Sequence, residues 1–219
     1  MGDFGLLGIL RDDPLTFVLL AAALIEAIAL HEYAHALAAD LQGDRLPRAL
    51  GRLTLNPVKH LDPLGTILIF IAGFGWGKPV EFRREALSSA RFGAALVALA
   101  GPFMNLLLAI AAALGLSLLC EVGPIAISCT GGTVVIDFLE IFFGLNVLLA
   151  VFNLLPLPPL DGSRLLTIFL PPSKQGIIFF LDRYGFIILL VLIFFGAATV
   201  LFPFIDFFRD VILNLVGLR

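Results

Sequence analysis

Charged and imidazole-bearing positions are scarce along this chain, and where they cluster outlines its architecture. From about Leu15 to Ala39 such residues are limited to Glu26, His31, Glu32 and His35, and no Gly or Pro interrupts the run. That pattern predicts one helix of membrane-spanning length. Asp40 to Arg91 is polar and holds eight of the 14 Lys and Arg residues. Inside it lies an apolar stretch, Leu64–Trp76, too short for a span that needs roughly 20 residues. The run Gly73-Phe74-Gly75-Trp76-Gly77-Lys78-Pro79 that closes it breaks helix, so Leu64–Val80 is expected to form a re-entrant hairpin or short strands. Phe92–Leu119 carries no charge in 28 residues and contains a kink signal, Gly101-Pro102, close to the amide of Asn105. A third span is expected at about Val134–Leu155. It ends at Asn153 and a segment with Pro156, Pro158 and Pro159, which stops a regular helix before Asp161 and Gly162. Ser163–Leu170 starts a short helix. A fourth span is expected over Ile177–Ile205. Beyond it Asp206, Arg209, Asp210, Asn214 and Gly217 recur every three or four residues, one polar stripe suited to a membrane interface.

The expected fold class is therefore an all-α polytopic membrane protein. It has about four full transmembrane helices, a re-entrant or short β segment and an interfacial C-terminal helix, in one domain over residues 1–219. Composition agrees: 60% of residues are hydrophobic and 14% charged, against about 45–50% and about 25% in soluble domains. With 14 Lys and Arg against 17 Asp and Glu, no basic patch for nucleic acid is implied. Met1–Pro14 lacks a signal-peptide cleavage pattern. Cys120 and Cys129 are too few for a cysteine zinc finger. They are either two free thiols or a disulfide facing an oxidising compartment. The cations place Asp40–Arg91 on the cytoplasmic side, and the segment Cys120–Thr133, which has none, on the other.

The chemistry sits in His31-Glu32-Tyr33-Ala34-His35. At about 100° per residue the two imidazoles fall about 40° apart on one helix face and can reach one ion. Glu32 lies about 60° from His35, near enough to act on a water at that ion. Such residues are costly inside a bilayer, and metal ligation in a hydrated cavity offsets the cost. A catalytic zinc site normally has three protein ligands, and His60 and Asp161 are the candidates for the third. Depth favours Asp161, because both helices running inward end at the same face. Two imidazoles and a carboxylate suit zinc, with iron and cobalt left open.

His31-Glu32-Tyr33-Ala34-His35 with Leu160-Asp161-Gly162 resembles the site-2 protease family of intramembrane zinc metalloproteases. Asn56-Pro57, Asp62-Pro63-Leu64-Gly65, Gly75-Trp76-Gly77-Lys78-Pro79-Val80 and Gly101-Pro102-x-x-Asn105 are similar to further stretches of its compact prokaryotic branch. The likeness runs in order over residues 23–164. It implies one zinc per chain held by His31, His35 and Asp161, with Glu32 as general base, and Asn153 and Asn105 as candidates to contact the substrate carbonyl. It also implies a transmembrane protein substrate, the lipid bilayer as surroundings, and a multi-pass position in a prokaryotic inner or plasma membrane with the active site near the cytoplasmic face. Neither the PDZ domain nor the nucleotide-binding CBS pair that the family often carries is expected. Two rival readings stay open: an inactive relative that binds membrane helices, and a transporter moving a metal or proton through the buried set. The lack of internal repeats speaks against the transporter.

Overall fold

The structure, a computed structural model, describes residues 6–72, 75–122, 127–129, 133–169, 175–195 and 197–218. A short helix α1 (Leu6–Asp12) leads into α2 (Pro14–Leu41). Asp13 caps α2: its carboxylate accepts the Thr16 amide at 3.1 Å and the Thr16 hydroxyl at 2.7 Å, and Pro14 takes the first turn, where no amide hydrogen is needed. After α3 (Leu46–Ala49) and a 3₁₀ turn at Pro57–Lys59 come α4 (Pro63–Ala72) and a second 3₁₀ turn at Arg84–Ala86. Helix α5 (Ala90–Leu119) leads to a minimal hairpin of β1 (Cys120–Val122) and β2 (Ile127–Cys129). Then follow α6 (Thr133–Asn153), α7 (Ser163–Phe169), α8 (Gln175–Phe195) and α9 (Ala197–Leu215).

Among the described residues, three helices are long and apolar enough to cross a membrane: Pro14–Leu41, Ala90–Leu119 and Val134–Asn153. These are the first three expected spans. The protein is a multi-pass integral membrane protein. Leu96, Phe103, Leu107, Leu114 and Leu148 stand exposed on α5 and α6, as residues facing lipid would. The three long helices pack on one another. Where α2 and α5 meet α6 they present alanines (Ala23, Ala27, Ala109, Ala112 and Ala113) to Phe142, Phe143, Val147 and Val151. Small side chains let helix backbones approach closely, and that dispersion contact replaces the hydrophobic drive that lipid cannot supply.

The structure departs from the sequence expectations in two places. Residues 63–72 form helix α4 rather than strand. The chain nevertheless turns back on itself, since Leu61 pairs with Gly77 and the Lys78 amide donates to the His60 carbonyl at 2.7 Å. A ten-residue apolar stretch satisfies its own backbone as a helix only about 15 Å long, too short to cross, and the segments on either side of it meet at Leu61 and Gly77. Residues 175–195 and 197–215, which hold most of the expected fourth span, are helical. Second, α9 is more than an interfacial stripe: Leu201 and Ile212 are buried in the core against α5 and α6. The polar residues that define its stripe take only one side, leaving an apolar side free to pack.

Cys120 and Cys129 face each other across the hairpin, and Cys120 is disulfide-bonded. Of the two alternatives for the cysteines, the structure takes the disulfide. Glu26 is exposed on α2, and Trp76, whose ring type suits an interfacial anchor, lines a cavity.

Candidate metal centre

Helix α2 places His31 and His35 one turn apart, with ring centroids 4.7 Å from each other and Nε2 to Nε2 at 3.0 Å. Asp161 arrives from the proline-rich segment after α6. That segment cannot continue the helix, so it folds back until the Gly162 amide donates to the Asn153 carbonyl at 2.7 Å. Asp161 Oδ2 then lies 3.0 Å from His31 Nε2 and 3.3 Å from His35 Nε2. Donor atoms of all three residues fall within 4.8 Å of one another.

The opposite ring nitrogens are already committed. His35 Nδ1–H donates to the Val97 carbonyl at 2.7 Å, and His31 Nδ1–H to Asn105 Oδ1 at 2.6 Å. Neutral imidazoles so bound turn bare Nε2 lone pairs toward each other and toward a carboxylate oxygen. Three acceptors converging without a donor repel unless a cation lies between them. Ligands about 2.0–2.2 Å from a tetrahedral zinc stand roughly 3.3–3.5 Å apart, close to the separations here. The residues present therefore fit a zinc ion.

Helix α5 forms the wall beside the site. A Cβ on Gly101 would lie 2.5 Å from Nε2 of both histidines, so only glycine leaves room there. The following Pro102 has no amide hydrogen to give Ala98, a residue that lines the adjoining cavity.

That cavity has a volume of about 530 Å³ and is lined by His31, Glu32, His35, Asn153 and Asp161, by residues 75–77, 79, 80 and 82 of the extended run, and by Phe186 and Leu189 of α8. Glu32 Oε2 is buried with no hydrogen-bond partner among the described residues. Its nearest cation is Arg52, with Nη2 at 3.7 Å. Arg52 also donates through Nη1 to the Lys59 carbonyl at 2.9 Å and through Nη2 to the Lys78 carbonyl. A single guanidinium thus ties both legs of the re-entrant element to the glutamate. Gly77 in that element packs on α2 so closely that a Cβ would sit 2.8 Å from Ile28 and 3.2 Å from Glu32 Oε1. Asp44, fully buried just beyond α2, holds the far end of the run through the Arg83 amide (2.5 Å) and guanidinium (2.9 Å). Burial alone would raise the Asp44 pKa, but these bonds and the Leu46 amide hold it below the usual carboxylate range.

Of the residues singled out by sequence, the structure brings His31, Glu32, His35, Asp161 and Asn153 to one cavity. Asn153 spends one amide hydrogen on the Leu149 carbonyl, 3.0 Å away. Asn105 is fully buried on the Nδ1 side of His31, away from the converging Nε2 atoms. His60, the alternative third ligand, is fully buried elsewhere, with Nε2 bonded to the Thr54 carbonyl at 2.7 Å. Arg52, Val97 and Asn146 escaped the sequence reading. Asn146 had a signal, being an amide inside a span with no other use for one. Val97 acts through its backbone and has none.

Two buried histidines and a part-buried carboxylate at a cavity between membrane helices form a candidate metal site, the arrangement a membrane metalloprotein needs. The comparisons specify which. The family model described as Peptidase family M50 matches residues 19–193, and the chain belongs to that family, the site-2 protease family of zinc metalloproteases. It is 43% identical over 199 residues, covering 90% of each chain, to the Bacillus subtilis protein named "Putative zinc metalloprotease YwhC". Similarity extends to the Mycolicibacterium smegmatis protein named "Putative zinc metalloprotease Rip2", 34% identical over 182 residues, 81% of this chain and 67% of that one. The Rip2 protein of Mycobacterium tuberculosis H37Rv is 35% identical over 182 residues, 80% and 66% of the two chains. No solved structure matches the chain.

Proposed function

We propose that this protein is a zinc-dependent intramembrane endopeptidase that hydrolyses peptide bonds within or near transmembrane segments of membrane-protein substrates, close to the cytoplasmic face. The convergence of His31, His35 and Asp161 beside Glu32 in one cavity carries the reading. His31, His35 and Asp161 hold one zinc ion. Zinc supplies a water of pKa about 7 and polarises a carbonyl oxygen.

Glu32 takes the proton of the attacking water and returns it to the leaving amine. Its free Oε2 is what a base needs, and Arg52 keeps it from swinging away. Asn153 keeps a second amide hydrogen for the substrate carbonyl, where negative charge develops. Asn105 positions His31 instead of touching substrate. The substrate must unwind, since a helical peptide bond is shielded by its own hydrogen bonds. The unwound substrate pairs by strand addition with residues 75–80 of the re-entrant element, since residues 63–72 are helical. A fourth crossing by α8 and α9 completes the enclosure and belongs to the same proposal.

The test is zinc content and cleavage in parallel on detergent-purified protein. Unsubstituted protein should hold about one zinc per chain and cut a transmembrane peptide. Asp161→Ala should lose the metal. Glu32→Gln should keep it and lose at least a hundredfold in turnover. Zinc bound without any cleavage would favour the helix-binding reading, and absence of zinc after supplementation would sink the enzyme reading.

A further inference from the structure

The geometry points to Asn146 of α6 as a positioning residue that fixes which nitrogen of His31 is offered to the metal, acting through Asn105. The chain of bonds starts at a group whose role is unambiguous. The Phe142 main-chain carbonyl can only accept, so the amide nitrogen of Asn146 must face it, at 2.9 Å. That leaves Asn146 Oδ1 as the acceptor for Asn105 Nδ2, at 2.8 Å. Asn105 is thereby turned with its oxygen toward His31, 2.6 Å from Nδ1. Nδ1 must therefore donate, and in the neutral ring that a metal ligand requires, Nε2, which points at Asp161 and His35, is the nitrogen left bare.

Both asparagines are fully buried, each in a different membrane-spanning helix. Leaving such an amide unpaired in a low-dielectric interior is costly. Here each bond of the relay is made, and its output is one tautomer of a metal-facing imidazole. Without Asn146, the orientation of Asn105 would rest on the long contact of its Nδ2 with the Ala27 carbonyl, 3.5 Å away. A flipped Asn105 would present nitrogen to His31 Nδ1, drive the proton onto Nε2 and close that lone pair to metal. His35 needs no such relay, because the Val97 carbonyl fixes its tautomer directly.

This inference rests on the zinc-site reading above, and the experiment separates the two. Zinc affinity is measured by chelator competition on the full chain, for Asn146→Leu in the original sequence and in an Asn105→Asp background. A carboxylate at 105 accepts from His31 Nδ1–H in either orientation and needs no second residue to set it. Asn146→Leu alone should weaken zinc binding ten- to a hundredfold, as loss of an outer hydrogen-bond partner of a metal ligand does. In the Asn105→Asp background it should cost less than about threefold by the same reasoning. Equal losses in both backgrounds would make Asn146 merely structural and overturn the relay, as would unchanged affinity in the single variant. If Leu is not accommodated between α5 and α6, Asn146→Ala carries the same comparison. Zinc bound by the unsubstituted protein and retained in every variant refutes the relay alone. Zinc absent from the unsubstituted protein refutes the metal site with it.

Discussion

Arg52 Nη2 stands 3.7 Å from Glu32 Oε2, and both side chains are nearly buried. The same guanidinium binds the carbonyls of Lys59 and Lys78, so the position of the base and the shape of the re-entrant element depend on one residue. Arg52→Ala should lower turnover at least tenfold while zinc content stays near one per chain. Parallel loss of zinc and activity would show instead that Arg52 supports the whole fold.

Gly101 tests how tightly α5 closes on the ligands. Adding one methyl places carbon 2.5 Å from both Nε2 atoms, and a long buried helix has little freedom to retreat from it. Gly101→Ala should abolish zinc binding with the helical circular dichroism unchanged. Normal zinc content in that variant would show that α5 sits farther from the histidines.

His60 gives the re-entrant element a pH dependence with a definite sign. Burial pushes its pKa below the ordinary 6.5, with the Thr54 carbonyl opposing and the Arg52 charge assisting. The unfolded segment therefore binds more protons than the folded one as pH falls below about 6.5, and stability drops with it. Limited proteolysis of the 52–63 region should accelerate between pH 7 and about 5, and His60→Gln should flatten that dependence. Acceleration toward higher pH would contradict the assignment.

The hairpin and the basic segment report on orientation. Cys120 is disulfide-bonded, which suits an oxidising compartment, whereas Asp40–Arg91 carries most of the cations. After mild reduction, a membrane-impermeant thiol reagent added to intact cells should label the native cysteines. In a Cys120→Ser, Cys129→Ser background, a cysteine introduced at exposed Arg48 should be labelled only once the membrane is opened. The reverse pattern would invert the topology.

The sequence by itself determined the helical class, the first three spans and the face of α2 that carries His31, Glu32 and His35. These are local properties: apolar run length and angular spacing follow from 1.5 Å and about 100° per residue, whatever the chain does later. Three prolines in four residues likewise fixed that α6 must stop before Asp161. Tertiary structure decided the rest. Whether Asp161 or His60 reaches the histidines depends on how the proline segment folds back onto Asn153, a contact between backbone groups that spacing does not encode. Whether residues 63–72 are strand or helix depends on which neighbours satisfy their backbone. Asn146, Arg52 and Val97 gain their roles only when helices distant in sequence are pressed together. Hydrogen bonds are short-ranged and directional, so partners 41 or 74 residues apart, as Asn146 and His31 are from Asn105, become partners only through the packing of α2, α5 and α6.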